Sequence, residues 1–196
     1  MQTTVDSQTA RDELFRRIGR NVVNFQYLEA TLRSMIPTLH NQGTLEELEA
    51  NQDEVSRKYK KAGFGNLANA YHERVYGKNA GDEPLPDDAL SEPTVAFAVR
   101  LDVTHETAAE RKRALMGLVA ERNRLIHQDL LNIELNSREE CEELSARLDE
   151  QYIRIRRYLE HLNSSRINFR EMAAELGRLL ESDEFLALLS GESCRL

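Results

Sequence analysis

Leu14, Ile18, Val22, Phe25, Leu28, Leu32, Met35 and Leu39 recur at steps of three and four along one unbroken stretch. An α-helix turns once in about 3.6 residues, so this spacing lays a single apolar stripe along one side. The pattern predicts a helix from about Thr9 to Leu39, with Pro37 kinking or ending its last turn. The other helical stretches along the chain offer it the apolar faces to pack on. The expected fold class is therefore all-α, a helical bundle of four to five main helices. Composition agrees: 9 Gly, 4 Pro and no Trp in 196 residues leave little turn chemistry. The length suits one domain, 1–196, with a real core.

The rest of the chain supplies the partner helices. Thr44-Leu45-Glu46-Glu47 matches a capping box and opens a helix expected to reach Lys61, after Asn41-Gln42-Gly43 has broken the first. Ala62-Gly63 interrupts it, and a shorter helix is expected from Phe64 to Val75. Gly77 to Pro93, with Pro84, Pro86 and Pro93 among acidic residues, reads as a long mobile loop. Val95, Phe97, Val99, Leu101 and Val103 alternate with other residues, which is a strand pattern. No second strand is evident within the chain, so this segment is expected either to pair across a dimer or to lie extended on helices. A central helix is expected from Glu106 to Leu130. Ser137-Arg138-Glu139-Glu140 is a second capping box and starts another long helix, with a break at Asn163-Ser164-Ser165. Ser182-Asp183-Glu184 has the form of an N-cap for a short final helix.

A formal net charge of −8 argues against a general binder of duplex DNA and leaves room only for a local basic groove. Cys141 and Cys194 have neither metal-ligand spacing nor a disulfide framework, which points to a reducing, cytoplasmic setting. No secretory leader and no membrane-length apolar run is evident.

Function is concentrated in Glu121-Arg122-Asn123-Arg124-Leu125-Ile126-His127. At about 100° per residue, Arg122 falls in the stripe of Leu115, Leu118, Val119 and Ile126, on the side that meets the core. Asn123 and His127, four apart, share a face at its edge, and Arg124 points to solvent. A guanidinium stays charged, and leaving it buried and alone costs several kcal/mol. Arg122 thus requires an acidic partner or a wet cleft between subunits, and Glu29, bordering Leu28 and Leu32, is the expected partner. On helical geometry alone, a structural ion pair with a helix-capping histidine explains the peptide as well as an active site does.

The bare spacing R-x-x-x-x-H also occurs at Arg100 to His105 and Arg156 to His161. Only the middle instance joins a core-facing arginine, a following asparagine, an apolar pair and a histidine near a helix end. Arg122-Asn123-Arg124-Leu125-Ile126-His127 resembles the signature of the HEPN superfamily. Asn24-Phe25-Gln26-Tyr27-Leu28-Glu29-Ala30-Thr31-Leu32 is similar to the first helix of many bacterial HEPN-like proteins. The resemblance covers about residues 8–162, leaving 163–196 as a C-terminal helical extension. It implies a helical homodimer with facing motif helices, acting as a metal-independent endoribonuclease in toxin–antitoxin or phage-defence systems. It also implies an antitoxin partner, no cofactor, and Arg122, Asn123 and His127 as the active-site residues; Glu29, as the expected partner of Arg122, supports them. Family members that have lost catalysis imply the alternative, a silent dimeric module that binds protein or nucleic acid.

The residue types suit RNA cleavage. The 2′-hydroxyl is an internal nucleophile, an imidazole can move its proton near neutral pH, and a guanidinium can hold the scissile phosphate by two parallel hydrogen bonds. One geometric obstacle stands: positions five apart differ by about 140° on an ideal helix. Arg122 and His127 can share a groove only if the helix loosens near His127 or the arginine curls round. Arg57, Lys58, Lys60 and Lys61 flank Tyr59 in a basic run, a candidate RNA contact or simply a solvated helix face. Arg154, Arg156 and Arg157 form a similar ridge. No histidine has metal-ligand spacing, and neither a phosphate-binding glycine loop nor a hydrolase serine elbow is present.

Overall fold

The structure, a computed structural model, describes residues 2–44, 46–77, 94–183 and 185. The first helix, α1 (Gln2–Met35), begins seven residues earlier than the apolar pattern required. It passes into a 3₁₀ turn at Ile36–Thr38, where Pro37 tightens the last turn as expected. Leu14, Leu28 and Leu32 on its stripe are fully buried.

Strand β1 (His40–Gly43) follows and pairs antiparallel with β2 (Val95–Ala98), His40 opposite Ala98 and Gly43 opposite Val95. This corrects the expectation that the strand pairs across a dimer. Its partner is the segment Asn41-Gln42-Gly43, read from sequence only as a helix breaker. Four polar or small residues carry no period-two signal, so their pairing is set by tertiary contacts. Gly43 has φ +149°, and a Cβ there would stand 2.8 Å from Asn51 Nδ2 and 3.2 Å from Glu47 Cβ, so the strand end requires glycine. Beyond Ala98 the chain stays extended on the helices: Val99 N–H donates to Leu39 O at 2.8 Å and Leu101 N–H to Val75 O at 3.1 Å.

Helix α2 (Glu47–Tyr59) is entered through half of its capping box, the Thr44 N–H donating to Glu47 Oε2 at 2.9 Å. Leu45 lies outside the described residues, as do 78–93, on which most of the expected loop falls. Helix α3 (Phe64–Tyr76) matches its expected span to within one residue. Helix α4 (His105–Arg124) is capped by Thr104, whose Oγ1 accepts from Thr107 N–H at 3.2 Å. It continues through a π-helical turn (Leu125–Asp129) into the short α5 (Leu130–Asn132).

Helix α6 (Arg138–Leu180) is capped by Ser137, which accepts from Glu140 N–H at 3.3 Å. The expected break at Asn163-Ser164-Ser165 does not occur. Ser164 Oγ donates to Glu160 O at 3.0 Å, keeping its polar atom within the helix, and Ser165 is buried. Ser182 Oγ accepts from Phe185 N–H at 3.3 Å, as an N-cap would, but Glu184 and 186–196, with the expected final helix and Cys194, lie outside the described residues.

Helices α1 and α6 run parallel. Thr9 and Ala10 share a cleft with Arg138 and Glu142, while further along Arg20 stacks 4.1 Å from the Tyr152 ring centre. Arg17 and Arg20 both grip Asp149, at 2.9 and 2.8 Å. The fully buried Asn21 donates to Leu148 O at 2.7 Å and to Gln151 Oε1 at 2.9 Å, so its burial carries no unmet amide hydrogen. Helix α4 lies antiparallel to α6, with Asp129 near Arg147 and Glu121 near Arg154. Helix α3 packs alongside α4, a Cβ at Gly65 lying 3.6 Å from Val119. The core is shared among these helices through Leu67, Tyr71, Leu115, Leu125, Leu148 and Ile155. No described helix is long and apolar enough to cross a membrane.

Candidate functional site

The motif helix changes pitch at the motif. The Leu130 N–H donates to Leu125 O, a bond across five residues rather than four. Side chains five apart, which diverge on an α-helix, are brought toward one face by such a turn. Arg124 and Asp129 show it: their Nε and Oδ1 lie 3.4 Å apart. Arg147 of α6 reaches the same oxygen at 3.5 Å, pinning the turn to the long helix. The widened turn spans Leu125–Asp129, so it carries His127 but begins three residues after Arg122.

Arg122 sits at the rim of the core, its side chain 31% exposed, and its Nε lies 3.7 Å from Glu29 Oε1. The expected ion pair is therefore present. One Arg122 Nη also donates to Asn123 Oδ1 at 3.2 Å, so the neighbouring amide holds the guanidinium. The apolar stripe closes over Leu125, which is fully buried, while Ile126 is only half-buried. Asn123 and His127 are exposed. Arg124 also projects outward, with 59% of its side chain exposed.

Arg33 was not singled out in the sequence, although it stands four residues from Glu29, the usual spacing of a helical ion pair. It approaches Glu29 Oε2 at 3.9 Å and donates to the carbonyls of Tyr59 and Ala62, each at 3.3 Å. One carboxylate thus lies between two guanidinium groups, leaving an excess of positive charge. The second of them fastens the end of α2, where Arg57, Lys58, Lys60 and Lys61 are all exposed. The network Arg122–Glu29–Arg33 links the motif helix to the segment that carries the basic run. Asp129 was likewise missed, because its i, i+5 pair with Arg124 has no meaning until the pitch is known, and Arg147 because it reaches the turn from another helix.

The other candidates separate. The ridge at 154–157 is interrupted by the fully buried Ile155, and it is partly neutralised: Arg154 meets Glu121 at 2.9 Å and Arg156 meets Glu160 at 3.5 Å. His72 contacts Ala108 O at 3.1 Å, a structural role between α3 and α4. Among the described residues no three His, Cys, Asp or Glu side chains converge as a metal cage. A cleft beside the π-helical turn is lined by Arg124, Gln128, Asp129 and Arg147. No family model matches the chain, and neither a curated protein nor a solved structure matches it.

Proposed function

We propose that this chain is an endoribonuclease of HEPN type, working as a homodimer in toxin–antitoxin or phage defence. The observation that carries the reading is the placement of Arg122 and His127 on one helix. The guanidinium is held by Glu29 and Asn123 but remains partly open, and the imidazole stands exposed on the π-helical turn just beyond it. Arg122 would bind the scissile phosphate, with Asn123 orienting it. His127 would take the proton from the 2′-hydroxyl as its oxygen bonds to phosphorus. The 5′-oxygen would leave, taking a proton from His127 of the second copy, and a 2′,3′-cyclic phosphate would remain. Leu131, 76% exposed beside the motif, suits a self-association surface, and the basic run at 57–61 suits the flanking RNA.

The test uses purified chain and a mixed-sequence RNA in EDTA, with end-group analysis of the products. Cleavage leaving cyclic phosphate ends, lost in both Arg122→Ala and His127→Ala, is the expected result. Cleavage by either variant at the wild-type rate would refute the reading. A second reading, a catalytically silent binding module, draws on the hold that Glu29 and Asn123 already have on Arg122. It requires neither RNA cleavage nor growth inhibition on expression.

A further inference from the structure

Helix α1 carries a second apolar line on the side away from its core stripe of Leu14, Leu28 and Leu32. Phe15, Gly19, Val23 and Tyr27 follow one another at steps of four, which on an α-helix forms a single ridge inclined to the axis. Phe15, Val23 and Tyr27 are 48%, 47% and 60% exposed, and a Cβ placed on Gly19 would meet nothing within 4 Å. Packing of the core leaves this ridge unused.

Side-chain size along the ridge runs large, small, small, large, an order that reads the same in both directions. Two helices packed through their i, i+4 ridges cross at about −50°, so their surfaces are closest at the crossing point and part on either side of it. Gly19 and Val23 fall where space is least, and Phe15 and Tyr27 where the gap widens. With a two-fold axis at the level of Asn21, Phe15 meets Tyr27 of the second copy and Gly19 meets its Val23. A contact between identical surfaces requires such self-complementarity, whereas an unrelated partner does not. In the same register Asp12 faces Ala30 and Arg16 faces Gln26, so no charge meets its like.

The three open side chains expose on the order of 300 Å² per copy, hence about 600 Å² for the pair. The flanking Asp12, Arg16, Gln26 and Ala30 are exposed as well. Together they bring the contact to about 1,200 Å², the lower bound for a stable interface.

We propose that two copies of the chain pair antiparallel through the Phe15–Gly19–Val23–Tyr27 ridge of α1. The pairing gives a definite face to the homodimer of the ribonuclease reading, on which it rests only for the existence of a dimer. It uses neither Arg122 nor His127.

The experiment is sedimentation equilibrium of the full chain at up to about 100 μM. A dimer of two 22.5 kDa chains is expected, with a dissociation constant in the micromolar range. Val23→Arg is expected to weaken it by about tenfold or more. Gly19→Gln is expected to do the same while the monomer melts no lower than wild type, because a better helix former replaces glycine in open space. A wild-type chain that stays monomeric would overturn the proposal. So would a dimer that both substitutions leave intact, which places the contact on another face and leaves the ribonuclease reading standing. RNA cleavage is measured on the same samples; its absence from a dimer that both substitutions break would refute the ribonuclease reading and support the pairing.

Discussion

Arg122 Nε lies 3.7 Å from Glu29 Oε1, so the motif arginine is tied to a helix whose sequence is nearly a hundred residues distant. Both groups are partly open, at 31% and 17% exposure, and Arg33 offers Glu29 a second cation. The pair is expected to contribute only about 0.5–1 kcal/mol of coupling. A double-mutant cycle of Glu29→Gln and Arg122→Ala, read by urea denaturation, measures it. Coupling above about 3 kcal/mol would mark the pair as a buried structural bridge instead.

Leu125 is fully buried where α4 enters the π-helical turn, next to exposed Arg124. Truncation there removes core packing without touching a charged group. Leu125→Ala is expected to cost about 2–5 kcal/mol of stability, seen as a lowered thermal midpoint. Exposed His127→Ala is expected to stay within about 0.5 kcal/mol of wild type.

Asp149 holds α1 against α6. Burial raises its carboxyl pKa, but the hydrogen bonds from Arg20 and Arg17 and their charges outweigh this and leave it below the usual 3.8. Its contribution is fully present above that value and is lost as pH falls through the lower folded value. Asp149→Asn is expected to be less stable than wild type by about 0.5–1 kcal/mol at neutral pH, the carboxylate being half exposed. The gap should narrow as pH falls below 3.8. Urea midpoints of both proteins at neutral and acid pH check it.

His161 titrates with the same sign. Burial first, and then the Arg111 charge, depress its pKa below 6.5. Below pH 6.5 the unfolded chain takes up a proton that the folded chain refuses, so stability falls as pH drops through that window. Wild type is expected to lose more stability than His161→Phe between about pH 7.5 and 5.5, as followed by denaturant midpoints.

The long stripe of α1 and the Ser137 cap were legible because each rests on residues close in sequence. Glu29 was legible as the partner of Arg122 because a charge on an apolar face needs an opposite charge at a facing stripe. The β1–β2 pairing was hidden, since His40-Asn41-Gln42-Gly43 carries neither alternation nor β-branched residues and is held by Val95–Ala98 from far along the chain. The break foreseen at Asn163-Ser164-Ser165 failed because propensity was overruled by packing of Ser165 and the back-bond of Ser164. Nothing in Leu125-Ile126-His127-Gln128-Asp129 marks a change of pitch. It becomes visible only when Arg124 and Asp129 meet.

The parallel contact of α1 with α6 bears on the order of folding. Arg17 and Asp149 are 132 residues apart, and Asn21 and Gln151 are 130 apart. Ring closure over so long a span costs about 4 kcal/mol of chain entropy before either contact forms. The neighbouring α4–α6 hairpin is far more local, with its Asp129–Arg147 clasp closing over only 18 residues. Assembly should therefore begin in the second half of the polypeptide, with the amino-terminal helix docking last onto a surface already made.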